Sequence, residues 1–226
     1  MEIQLVVFDM AGTTVRDDDA VHRCLQDALA QAQCPASRTQ VNEVMGLPKP
    51  VAIEKLLRHC ISPAAATPEK VEAVHGDFLA RMIHYYETDS RVQPMPHAPE
   101  VIQTLRKAGI KVALDTGFSR PIVDTILKRL AWTNGFLDAT VASDEVPRGR
   151  PHPDLVHRAM KLTGVDAPSA VAKVGDTPSD LYEGTMAECR FVVGVTNGSH
   201  TEQELEPHPH THLIPSLDRL PSIIGL

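Results

Sequence analysis

Hydrophobic and polar positions divide the chain into stretches of different period. Residues 3–9 form a short apolar run, broken only by Gln4 and closed by Asp9. A β-branched run of that length predicts a strand covered on both faces, and Ala11-Gly12-Thr13-Thr14 lets the backbone bend where it stops. From Arg16-Asp17-Asp18-Asp19 the pattern changes. Val21, Leu25, Ala28, Leu29 and Ala32 recur at helical spacing behind an Asp run suited to capping a helix start. Further helices are predicted over residues 39–44, 51–60 and 67–86, the last opening with the Thr67 hydroxyl as cap and Pro68 at its first position. Residues 17 to 90 are thus nearly all helical.

Beyond Val92 helices and strands alternate. Helices are predicted at 99–108, 121–130, 153–162 and 179–188, and strands at 110–115, 139–142, 170–175 and 191–195. That alternation implies an α/β fold, a Rossmann-like parallel sheet with helices on its faces. The first strand has no short-range partner and belongs in the same sheet. Residues 1–16 and 91–226 then form the core, and 17–90 a helical cap inserted after the first strand. Asn197-Gly198-Ser199 reads as a turn. In Pro207-His208-Pro209-His210-Thr211-His212 the alternating histidines suit a transition metal, but the prolines favour an extended exposed loop, and neither carboxylate nor Cys completes a ligand set.

Composition narrows the class. With 226 residues, 42% hydrophobic and 23% charged, the chain has enough apolar material for one substantial core and a small accessory unit. A net charge of -7 argues against a nucleic-acid surface. Cys24, Cys34, Cys60 and Cys189 make no Cys-x-x-Cys pair and read as reduced structural thiols. No apolar run approaches the length of a membrane span, and the first strand follows the N-terminus directly without a signal-type segment. The expectation is a cytoplasmic protein without membrane or nucleic-acid partners, a monomer or a homodimer.

Chemistry-bearing residues gather at the strand ends: Asp9 and Thr13 after the first strand, Thr116 after the second, Arg150 in the loop beyond the third, and Asp176 with Asp180 after the fourth. In open parallel sheets that edge is where ligands bind. Clustered acids repel one another unless a divalent ion neutralises them, and hard carboxylate oxygens suit Mg²⁺. By itself, Asp9 is equally well read as an acid that hydrogen-bonds its own turn.

Phe-Asp-Met-Ala-Gly-Thr-Thr from Phe8, Asp-Thr-Gly-Phe-Ser from Asp115, Gly-Arg-Pro-His-Pro from Gly149 and Val-Gly-Asp-Thr-Pro-Ser-Asp from Val174 resemble, in order, the four motifs of the haloacid dehalogenase superfamily of phosphohydrolases. More narrowly, Ala11 and Arg150 resemble the phosphonatase (phosphonoacetaldehyde hydrolase) family, since most superfamily phosphatases have a second Asp and a Lys at those places. The resemblance implies Asp9 as nucleophile, Arg150 and Thr116 on the phosphoryl group, and Mg²⁺ held by Asp9, the Ala11 carbonyl and Asp176, with Asp180 in an outer role. It further implies substrate-binding positions at Thr13, Gly117, Met45 and Gly46. Met45-Gly46-Leu47-Pro48-Lys49 is similar to the family's cap segment and sets Lys49 where phosphonatase forms a Schiff base with its aldehyde substrate. Two positions depart from that family: Ala52 stands in place of a His, and Phe118 in place of a Tyr.

The missing acid at Ala11 constrains the leaving group, because general acid catalysis of alkoxide departure is worth ~10²–10⁴ in rate. The first expectation is therefore a Mg²⁺-dependent hydrolase of a small phosphonate, such as phosphonoacetaldehyde or a related compound. The second is a phosphomonoester phosphatase of the phosphoglycolate-phosphatase-like type that draws its acid from elsewhere. The third is a non-catalytic binding protein on the same fold. Lys49 has a plainer reading too, as an exposed cation between two prolines or a non-covalent ligand for a substrate anion. As a Schiff-base nucleophile it needs burial or a nearby cation to lower its pKa from the ordinary ~10.4.

Overall fold

β1 (Leu5–Asp9) lies inside a six-stranded sheet in a computed structural model that describes residues 2–62, 64, 66–133 and 135–226. The other strands are β2 (Lys111–Asp115), β3 (Ala139–Val141), β4 (Val171–Gly175), β5 (Phe191–Val195) and β6 (His212–Ile214). Their order is β3-β2-β1-β4-β5-β6, and every pairing is parallel. All five β1 residues are buried, as an apolar run covered on both faces requires. Leu5 and Val7 pack into one apolar cluster with Leu155, Val156 and Ala159, whereas Val6 and Phe8 join the larger cluster with Ile102, Leu105 and Ile122. That is the two-residue alternation of a strand between two helical layers.

The chain runs from β1 toward β2 on one side, and β4 lies on the other. The strand order therefore reverses at β1, which opens a crevice beyond the carboxyl ends of β1 and β4. Register sets the acids side by side at this edge, with Asp9 opposite Asp115.

Between β1 and the rest of the core come α1 (Ala20–Gln31), α2 (Arg38–Asn42), α3 (Lys49–Cys60) and α4 (Pro68–Thr88). They are followed by α5 (Ala98–Lys107), α6 (Arg120–Arg129), α7 (Asp154–Thr163), α8 (Pro178–Met186), α9 (Glu202–Leu205) and α10 (Leu220–Ile224). α4 packs on α1 and α3 and also against α6. No helix among the described residues is long and apolar enough to cross a membrane.

The predicted helices and strands appear with ends shifted by at most two residues, within the scatter of helix and strand termini. Within the Asp run, Asp19 occupies the N-cap of α1 with a left-handed backbone (φ 67°) and no side-chain cap, while Asp17 Oδ1 accepts the Val21 N–H at 3.0 Å. Two local differences have physical causes. α3 begins at Lys49 rather than at residue 51, because Pro50 sits in the first turn, where no intrahelical N–H is required. The His-Pro tract also does not run as a loop to its end. His212 opens β6, which extends the sheet beside β5, a three-residue strand too short to leave a periodic signal.

The segment before α3 reaches the crevice through Gly117. A Cβ there would lie 2.7 Å from the Leu47 carbonyl oxygen and 2.8 Å from that of Gly46, so only glycine admits this backbone so close. Ser179 Oγ donates to the Met45 carbonyl at 3.2 Å.

The Thr67 hydroxyl accepts the Lys70 N–H at 3.3 Å at the start of α4. Thr67→Ala is expected to lower the unfolding free energy by about 1 kcal/mol, measured by denaturant titration.

Candidate active site

Asp9, Thr116, Asp176 and Arg150 come from four separate stretches of sequence, and the parallel sheet brings them to one edge. Of the residues expected to act in a site, Asp9, Ala11, Met45, Gly46, Lys49, Thr116, Gly117 and Arg150 line a single narrow cleft with about 20 Å³ of open volume. Thr13, Asp176 and Asp180 are buried beside it. Asp176 joins the cleft through Ser199, whose backbone N–H donates to Oδ2 at 2.6 Å, while the Thr13 hydroxyl donates to Oδ1 at 3.0 Å. Asp180 joins it through the Thr177 hydroxyl, which donates to Oδ2 at 2.6 Å. The Thr116 hydroxyl accepts the Phe118 N–H at 3.2 Å, which closes the turn after β2.

Arg150 is 2% exposed, and its guanidinium meets four carboxylates. NH1 donates to Asp9 Oδ1 at 2.6 Å and lies 3.0 Å from Asp180 Oδ1, Nε donates to Glu183 Oε2 at 2.9 Å, and NH2 donates to Asp115. A second buried cation, Lys173 on β4, pairs with Asp115, with Glu183 Oε2 at 3.0 Å and with Asp180 Oδ1 at 3.3 Å. Asp115, Lys173 and Glu183 were not foreseen as site residues, although each left a trace. Lys173 is a charge inside an apolar strand, Val-Ala-Lys-Val-Gly, and Glu183 follows Asp180 by three residues on α8, where side chains share a helix face. Asp115 immediately precedes Thr116 at a strand end.

Charge in this region is unbalanced. Five buried carboxylates, Asp9, Asp115, Asp176, Asp180 and Glu183, stand against the two paired cations Arg150 and Lys173. Burial, with Asp180 and Asp176 adding to it, holds the Asp9 carboxyl well above the usual range against the pull of Arg150. Burial and then Asp180 raise Asp176 as well. For Asp115 burial acts upward, but Lys173 and Arg150 outweigh it and hold the carboxyl low. Burial and then Asp115 push Glu183 up to about 8. Oxygen atoms of Asp9, Asp176 and Asp180 lie within 4.8 Å of one another, close enough to share one ion. A hard divalent cation fits both this donor set and the excess negative charge.

Lys49 has the opposite environment. It is 4% exposed at the first position of α3, with its ammonium 5.6 Å from the Phe118 ring centre and 6.0 Å from that of Phe78. Among the described residues no carboxylate lies within ion-pairing distance of it. Burial lowers its pKa to about 8, against the upward pull of Asp9 and Asp17. Phe118, which departs from the family pattern, thus forms part of the apolar wall at the amine. The exposed-cation reading of Lys49 does not survive this burial.

The tail histidines do not converge. His208 Nδ1 faces the Tyr182 hydroxyl at 3.4 Å, His210 Nδ1 faces the His208 carbonyl at 2.7 Å, and His212 Nδ1 faces the Thr211 hydroxyl at 3.0 Å. Among the described residues, the groups of three metal-ligating side chains are Asp9, Asp176, Asp180 and Asp115, Asp180, Glu183.

A family model described as haloacid dehalogenase-like hydrolase matches residues 3–185. A phosphonoacetaldehyde hydrolase from Bacillus mycoides is 30% identical over 224 residues, an alignment covering 91% of this chain and 82% of the relative. A bifunctional phosphonoacetaldehyde hydrolase/aminoethylphosphonate transaminase from Clostridioides difficile is 27% identical over 91% of this chain, which spans only 34% of that longer protein. Among solved structures, a phosphonoacetaldehyde hydrolase-like protein from Oleispira antarctica superposes with a TM-score of 0.89 at 22% identity, covering 99% of this chain and 92% of that one.

Because Lys49 is charged, buried and without a carboxylate contact, Lys49→Met is expected to stabilise the fold. Below pH 8 the folded protein bears the full cost of the buried ammonium. Between about 8 and the unfolded value of ~10.4 the folded state sheds its proton first, so wild-type stability rises with pH and the difference shrinks. Denaturant unfolding at pH 7 should show the variant more stable by roughly 3 kcal/mol, with the gap closing toward pH 10.

Proposed function

Because the chain belongs to the haloacid dehalogenase-like hydrolase family, we propose that it hydrolyses a small phosphonate aldehyde, phosphonoacetaldehyde or a close analogue, through an aspartyl-phosphate on Asp9. The observation that carries this reading is that Lys49 and Asp9 line one narrow cleft. The lysine amine is desolvated and titrates at about 8, the carboxylate is aligned by Arg150, and no acid stands at Ala11. A desolvated amine is available as a nucleophile near neutral pH.

In this reading α1–α4 act as a cap over the crevice and bring Lys49 and Met45-Gly46 to it. The Lys49 amine adds to the aldehyde carbonyl, and water departs to leave a protonated imine. Asp9 then attacks phosphorus in line. The electron pair of the breaking carbon-phosphorus bond passes into the iminium and forms an enamine, so the leaving carbon needs no proton from position 11. Water hydrolyses the aspartyl-phosphate, and protonation and hydrolysis of the enamine return free Lys49. Arg150 and Thr116 would hold the phosphoryl oxygens during both transfers. Asp9, Asp176 and the Ala11 carbonyl, with Asp180 behind them, would hold Mg²⁺. The ion, when bound, supplies charge neutralisation at the phosphoryl group.

One observation favours an ester substrate instead. Burial pushes Asp17, half-buried at the rim of the neighbouring cleft, up to about 6. That cleft shares Ser199 with the first. An acid titrating there can carry a proton near neutral pH and would substitute for the one Ala11 lacks.

Phosphate release from phosphonoacetaldehyde is expected to require Mg²⁺, to stop with EDTA and to vanish in Asp9→Asn. Borohydride added during turnover should leave a reduced two-carbon adduct on Lys49, detected by peptide mass spectrometry. Undiminished turnover in Lys49→Ala would refute the Schiff base. Hydrolysis confined to phosphomonoesters, with loss in Asp17→Asn and not in Lys49→Ala, would establish the ester reading.

A further inference from the structure

Lys173 takes no part in the reaction proposed above, and it is wholly buried in β4. A lysine in a fully covered parallel strand needs a reason, because an ammonium removed from water is costly unless it is paired and hydrogen-bonded. Its partners supply one. Lys173 Nζ shares the Asp115 Oδ1 atom with Arg150 NH2, Glu183 Oε2 with Arg150 Nε, and Asp180 Oδ1 with Arg150 NH1. Three carboxylate oxygens are each held by both cations. Among the described residues, Arg150 makes only one carboxylate contact that Lys173 does not share, the 2.6 Å bond from NH1 to Asp9 Oδ1.

This sharing has an electrostatic consequence. Three carboxylates around one guanidinium would quench its positive charge and draw it away from Asp9 toward Asp115 and Glu183. A second cation on the same three oxygens takes up part of their charge and leaves Arg150 with an undersatisfied corner at the nucleophile. Local construction serves this arrangement. Gly184, next to Glu183, lies where a Cβ would fall 2.8 Å from Lys173 Cβ, so α8 closes on β4 at that point only because the position is bare.

We propose that Lys173 is a positioning residue for phosphoryl transfer: as counter-cation to Asp115, Asp180 and Glu183, it keeps the Arg150 guanidinium seated against Asp9 with its charge directed at the transferring group. This inference rests on the reading of Asp9 as nucleophile and Arg150 as its phosphoryl-binding cation. It adds that the strength of that cation is set by a lysine that never meets the substrate.

The test compares Lys173→Met, Lys173→Arg and the double variant Lys173→Met/Glu183→Gln, which removes one acid together with the cation. Phosphate release from phosphonoacetaldehyde, or from p-nitrophenyl phosphate, is measured per folded molecule, and a crystal structure of each folded variant is determined. Lys173→Met is expected to lower kcat by ~10²-fold, the scale of losing one transition-state charge contact, with KM changed only a few-fold. Its structure should show Arg150 withdrawn from Asp9. The double variant should regain at least a tenth of wild-type kcat and return Arg150 to Asp9, and Lys173→Arg, which can pair with the same oxygens, should stay nearer wild type than Lys173→Met.

A purely structural lysine would lower thermal stability and leave kcat per folded molecule within threefold, and that result overturns the proposal. So does a Lys173→Met structure with Arg150 still on Asp9. If Lys173→Met does not fold, the double variant decides: recovery of the fold without recovery of turnover or of the Arg150–Asp9 contact is equally fatal. Failure of the parent reading would look different. Wild type would then release no phosphate, while the position of Arg150 in the variant structures would still report on Lys173.

Discussion

The buried bond between Arg150 and Asp9 organises the site, because it ties the acid at the end of β1 into the network of buried charges around the guanidinium. A carboxylate or guanidinium taken out of water incurs several kcal/mol of lost hydration even after relaxation, and the loss is offset only where charge-assisted hydrogen bonds close around it. Here they close through the sheet. Asp9 ends β1, Asp115 ends β2, Lys173 lies in β4, Asp180 and Glu183 come from α8, and Arg150 reaches them from the loop after β3. The parallel register that sets Asp9 opposite Asp115 is therefore an electrostatic arrangement as well as a hydrogen-bonded ladder.

The cleft combines two opposite treatments of buried charge. On the core side, each cation is surrounded by acids and the remaining negative excess suits a divalent ion. On the side supplied by the helices after β1, a single amine sits among Phe78, Phe118 and aliphatic groups without an acid in contact, and burial makes its neutral form accessible. The cations on the core side stay charged, as the proposed contact with a phosphoryl group requires. The amine on the other side is brought by burial to about 8, as the proposed attack on an aldehyde requires. The site's charge is not spread evenly across it.

The fold was legible because its signals are local. The apolar run at β1 and the alternation of helix and strand after residue 92 carry the period of each element in a few consecutive residues, and the strand-end placement of Asp9, Thr116 and Asp176 follows from where those runs stop. β6 was not legible, since a three-residue strand is too short to show a period, and its neighbouring prolines imitate a loop. At the start of α1 several acids in a row offer equivalent caps, and only the path of the backbone selects Asp17 as the acceptor.

Sequence alone determined the α/β class, the edge at which the chemistry gathers, and the missing acid at Ala11, each of which depends on residue type and order. Tertiary structure alone decided which charges neutralise one another. Lys173 and Asp115 lie 58 positions apart in the chain, Asp115 and Glu183 68, and Lys173 and Glu183 10, and nothing in the spacing says that Lys173 shares one oxygen of each acid with Arg150. The state of Lys49 was decided in the same way. Flanked by prolines, it reads equally well as a solvated cation, and its desolvation depends on how closely Phe78 of α4 and the turn after β2 pack around it. Pairing and desolvation both arise from groups brought within a few ångströms by distant parts of the chain, so they exist only once the chain has folded.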